Sequence, residues 1–100
     1  MNNQNTKYID VPKDMSNYLE SLMYETNARQ DVISYMIDHG MNSSEAFERY
    51  HAEYVEYYVK YNTAKHELES RYITSLNLGK VSWVMNFHTN QLEVKEIKHE

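Results

Sequence analysis

The sequence predicts an α+β fold, a long antiparallel two-helix hairpin followed by a C-terminal β-hairpin. Three observations predict it. From Ser43 to Leu76 there is no Gly or Pro, and apolar residues recur at Phe47, Tyr50, Tyr54, Tyr57, Tyr61, Ala64, Leu68 and Tyr72. That 3-4 spacing keeps side chains on one helix face. A second 3-4 stripe, through Met15, Leu19, Leu22, Ile33 and Met36, runs between Lys13 and His39. Beyond Gly79, VSWVMNF and QLEVKEI alternate apolar and polar residues about a polar turn, the period of strands.

Taken in order, residues 1–6 are polar with no apolar anchor, so disorder is expected there. KYIDV (7–11) alternates enough for a short strand, available as a third strand beside the hairpin. Pro12 suits the start of a helix, where a missing N–H costs nothing. The first helix is expected over 13–39. Its stripe loses apolar character at Thr26 and Arg29, where a helix pair should be driest. Arg29 then either snorkels or pairs with a carboxylate of the facing helix, or marks with Thr26 a polar binding notch. Asn27 and Gln30 have cap spacing, which leaves a break at that point open.

Gly40 closes the first helix, since it takes the left-handed conformation readily. Asn42 or Ser43 is expected to cap a second helix over 43–76. So short a connection makes the helices antiparallel neighbours. Glu45/Arg49, Glu56/Lys60 and Glu67/Arg71 form i,i+4 pairs on the far face. Val55, Val59 and Ile73 lie off the main arc, with Tyr58 at its edge. One partner helix cannot cover both lines. The β-hairpin is expected over 81–97, with Val81, Trp83, Met85 and Phe87 on one face and Leu92 and Val94 on the matching face. The tail 98–100 is expected to fray.

The chain has 100 residues, which suits a single domain with a modest core and no deep enclosed active site. A net charge of -5 argues against a general nucleic-acid binder. The absence of Cys excludes disulfides, thiolate catalysis and Cys-based zinc sites. No stretch has the length and apolarity of a signal peptide or membrane span. Leu78-Gly79-Lys80 lacks the glycines of a phosphate loop. His66 and Glu69 are three apart, as in di-iron bundles, but those need four helices and more inward carboxylates. No catalytic residue, metal ligand or cofactor is therefore expected.

Ten Tyr supply much of the apolar surface, and Tyr is enriched where proteins meet. The candidate partner-binding residues are Val55, Tyr58 and Val59 on the second helix, with Trp83, Met85 and Phe87 on the hairpin. The pattern Asn27-Ala28-Arg29, Ser44-Glu45-Ala46-Phe47, Tyr54 to Tyr61, then Val81-Ser82-Trp83 with Phe87 and Leu92, resembles short proteins of phages and prophages of low-GC Gram-positive bacteria. The resemblance spans residues 7–97. It implies a virion or assembly component, not an enzyme, and carries over no site residues. The expectation is a structural subunit, cytoplasmic or virion-associated, binding its own copies or a larger protein assembly. It has no membrane or direct nucleic-acid partner. The alternative is a small acidic inhibitor or adaptor that occupies a basic site on a partner protein.

Overall fold

The computed structural model of the chain describes residues 6–97. The disorder expected of 1–5 and the fraying expected of 98–100 lie outside them. The elements are β1 (Thr6–Asp10), α1 (Lys13–Asp38), α2 (Glu45–Leu68), β2 (Val81–Asn86) and β3 (Gln91–Glu96). The strands form one antiparallel sheet in the order β1-β3-β2. This is the expected α+β fold with the N-terminal strand included, but Thr6, expected in the disordered start, belongs to that strand. The chain divides into two compact units. Leu19–Lys65 is one; the residues up to Tyr18, with those from His66 onward, are the other.

Leu19–Lys65 is a helical hairpin. α1 runs unbroken through Asn27, so the cap spacing there goes unused. Its inward stripe is as expected: Leu19, Leu22, Thr26, Ile33 and Met36 are buried. Gly40, at φ +69°, closes the helix. Its N–H donates to Ile37 O at 3.1 Å and the Met41 N–H to Met36 O at 2.8 Å, the paired bonds that satisfy a helix's last carbonyls. The cap of α2 is Ser44, one residue beyond the expected pair. Its hydroxyl accepts the Phe47 N–H at 3.1 Å and donates to Met41 O at 2.8 Å. Glu45 and Glu48 then sit in the first turn, where negative charge is favourable.

The other unit holds the sheet, the first turns of α1 and the end of the second helical stretch. Here the expected helix over 43–76 is corrected. α-Helical geometry ends at Leu68, Glu69–Ile73 is a π-turn, Thr74–Leu76 is a 3-10 turn, and Asn77 at φ 54° ends the path. The π-turn explains why Ile73 is buried with Leu68, although α-helical spacing puts it off the arc. A π-turn closes over five residues, not four, and brings Ile73 round to the side of Leu68. Val11, Ser16, Leu68, Ile73, Leu92 and Val94 are this unit's buried side chains.

β3 lies at the centre of the sheet. Trp83 stands opposite Val94, and Met85 and Ile9 flank Leu92. The hairpin turn is fixed by Asn86, whose Oδ1 accepts the N–H groups of His88 and Thr89, and by Asn90 at φ 58°, a conformation Asn tolerates. The Val11 N–H donates to Asn90 O at 2.9 Å and continues the β1–β3 ladder to the start of α1.

Candidate functional site

The residues expected at a polar notch are committed within the hairpin. The Thr26 hydroxyl donates to the Tyr57 carbonyl across the helix pair at 3.2 Å. Arg29 bonds the Glu25 carboxylate and backbone oxygen one turn back, and its Nε lies 3.4 Å from Glu53 Oε1 on α2. That last contact is an ion pair without a hydrogen bond from the Nε–H. The hydrogen bond to Glu25 is the largest cause holding the Arg29 pKa above its ordinary value; burial acts the other way. Arg29 therefore makes the pairing to a facing carboxylate that was the first of its two readings.

The second helix carries two aromatic features. Phe47, His51, Tyr54 and Tyr58 form a ladder of neighbouring rings, with centroids 5.7, 6.4 and 5.8 Å apart. Tyr57 has two cations near its ring, with Arg29 at 4.0 Å and Lys60 at 4.8 Å from its centroid. Phe47, Tyr54, Tyr57 and Tyr61 are half-buried, and Tyr50 on the same arc is exposed. A single facing helix covers such rings on one side only.

Val55, Tyr58 and Val59 are exposed side by side on α2. Trp83, Met85 and Phe87 are half-buried. The face that Trp83 and Met85 share is closed at its centre, where Leu92 and Val94 are almost fully buried, and is less covered towards β2. Sequence reasoning missed a further line on α1. Tyr24, Ala28, Val32 and Tyr35 are exposed, and their 4-4-3 spacing sets them on the side of α1 away from its buried stripe. That spacing was readable, but the inward stripe accounts for the helix without it. The sequence reading also passed over Val84, exposed on the outer face of β2.

His66 Nδ1 lies 3.8 Å from Glu69 Oε1, both groups well exposed. Among the described residues no three His, Asp or Glu side chains gather as a metal site. No helix there is long and apolar enough to cross a membrane. Comparison of the chain with protein-family models, curated proteins and solved structures gives no match.

Proposed function

We propose that the chain is a non-enzymatic structural subunit that joins copies of itself or a larger protein assembly. One observation carries this reading: the Leu19–Lys65 unit is a single layer. Within it α2 contributes no fully buried side chain, because each helix has one neighbour. Apolar faces are stabilised by a second layer packed against the first, and other chains are the source of that layer. Among the described residues, 14 large apolar side chains are exposed against nine buried in the core, which leaves apolar surface for association. With the phage resemblance drawn above, the assembly is a virion or a complex that builds one.

Light scattering or sedimentation over a concentration series tests the reading. A homo-oligomer, or capture into a larger particle, is the expected result. A chain that stays monomeric at every concentration, and joins no particle, overturns it.

A second reading is favoured by the charge of α1. Its outward surface carries Glu20, Asp31 and Asp38 beside Tyr24 and Tyr35, and Arg29, its one cation within the hairpin, is already engaged. A basic partner protein suits such a surface. Binding of that kind weakens steeply with salt, since exposed charges are screened over about 8–10 Å at physiological ionic strength. A monomer with a salt-sensitive partner supports this reading over the first.

A further inference from the structure

We propose that the free edge of β2 is a two-fold joint, in which β2 pairs antiparallel with β2 of a second copy, Val84 opposite Val84. The inference deepens the assembly reading by naming one of its contacts, and it rests on that reading for taking the partner to be another copy.

Among the described residues the sheet has two edges, β1 and β2, and they differ. β1 carries Lys7 and Asp10, with Pro12 two residues beyond its end. Charges and Pro are what keep an edge strand from accepting another chain. β2 has neither: from Val81 to Asn86 every residue is uncharged, in a chain of net charge -5. A second copy meets no like charge along this strand.

The backbone of β2 is ready for a partner. The Ile97 N–H donates to Lys80 O at 3.0 Å, which fixes the ladder's phase. With the register Val81↔Glu96 to Asn86↔Gln91, Ser82, Val84 and Asn86 bond β3. Val81, Trp83 and Met85 turn their N–H and C=O groups to the free side. Two copies paired about Val84 bring Trp83 opposite Met85, so outward groups meet outward groups and the ladder continues.

The side chains read the same in both directions about Val84. Within β2, Ser82-Trp83-Val84-Met85-Asn86 sets Trp83 opposite Met85, apolar on apolar. It sets Ser82 opposite Asn86, polar on polar. A two-fold contact requires this self-complementarity, because each residue i that meets j must also be met by it. Moving the centre to Trp83 loses the match, since Ser82 then faces Val84. Burial points the same way. On the inner face Leu92 and Val94 of β3 are almost fully buried while Trp83 and Met85 of β2 are only half-buried, so the cover thins towards the free edge. A continued sheet extends that cover.

The absence of Cys from the native chain makes the test clean. In the register proposed, two Val84 positions form a non-hydrogen-bonded pair with Cα atoms about 4.5 Å apart, within the roughly 4.4–6.8 Å that a disulfide spans. Val84→Cys in the full chain should oxidise to a covalent dimer rapidly and nearly completely. Ser82→Cys, on the same face but on the order of 13 Å from its copy, should not. Val84→Lys, placing charges of one sign on the axis, should halve the particle mass by light scattering with helical circular dichroism unchanged. If Val84→Lys keeps the native mass, or Ser82→Cys cross-links as fast as Val84→Cys, the joint is wrong; an oligomer that persists then leaves the assembly reading standing. A wild-type chain that is monomeric throughout removes both.

Discussion

The guanidinium carbon of Arg29 lies 4.0 Å from the centre of the Tyr57 ring, and the same residue reaches Glu53 one turn earlier on α2. Arg29 thus ties the two helices where α1's stripe lacks an apolar residue. Its stem and planar head cover the ring while its charge stays partly in water, as long cationic side chains do. A double-mutant cycle of Arg29→Ala and Tyr57→Leu should give a coupling of about 0.5–1 kcal/mol, typical of a partly exposed cation on an aromatic face. Urea melts of the four chains measure it. The raised pKa of Arg29 means its charge contributes below its ordinary value and is lost only above the raised one. The coupling should therefore be flat from about pH 6 to 10. A coupling near zero would mean the ring and the guanidinium do not hold the helices together.

Thr26 sits one turn earlier on α1 and is buried. Its hydroxyl donates to the Tyr57 carbonyl, which also serves the α-helix it belongs to. Thr26→Val keeps the shape and removes the donor, so no new orphan is created. The expected loss is about 0.5–1.5 kcal/mol, the net worth of one such bond. Thr26→Ala, which also opens space, should cost more. Equal melting of Thr26→Val and wild type would show that this position is held by packing alone.

The inward stripe of α1 was legible because helical periodicity survives even where its members are polar. Thr26 and Arg29 keep the spacing of Leu22 and Ile33, and both point to the facing helix. The pairing of β2 with β3 was legible from period-two alternation, and so was the face shared by Trp83, Met85, Leu92 and Val94. Ile73 was not legible, because a π-turn leaves no mark in apolar spacing beyond one residue set off the arc. Ser16 was missed for another reason: it is fully buried with its Oγ unpartnered, and a small polar side chain gives no signal of burial. The exposure of Tyr50 depends on how many neighbours the hairpin has, a property of layers that one helix's periodicity cannot report. For the candidate surfaces, Val55, Tyr58 and Val59 stood out because they exceed what one partner helix can cover.

The π-turn makes a prediction about chain length. Ser70 is exposed inside the five-residue turn. Deleting it leaves Ile73 four positions after Leu68, where an ordinary α-helical turn keeps both on one side. The deletion should melt within about 1 kcal/mol of wild type. Deleting exposed Thr63 from the regular part of α2 should be far worse, because every later residue rotates by roughly 100°. Leu68→Ala and Ile73→Ala, each emptying a buried site, should cost about 2–5 kcal/mol. If the Ser70 and Thr63 deletions destabilise equally, the π-turn is not an accommodated extra residue.

Val55 and Val59 lie one turn apart on the exposed side of α2, beside Tyr58, whose ring is supported by Tyr54. Neither valine contributes to the buried stripe, so their replacement should be felt only by another chain. Val55→Lys with Val59→Lys should leave thermal unfolding of the dissociated chain within about 0.5 kcal/mol, the usual range for open surface positions. In the assembly, two lysines in an apolar contact lose water without gaining partners, a cost of several kcal/mol. The assembled mass should therefore collapse towards the monomer, or towards a dimer held through β2 alone, and sedimentation velocity separates these states. A double variant that assembles like wild type would show that this side of α2 faces only water. The second layer would then have to form on Tyr24, Val32 and Tyr35 of α1, the other exposed apolar line on the hairpin.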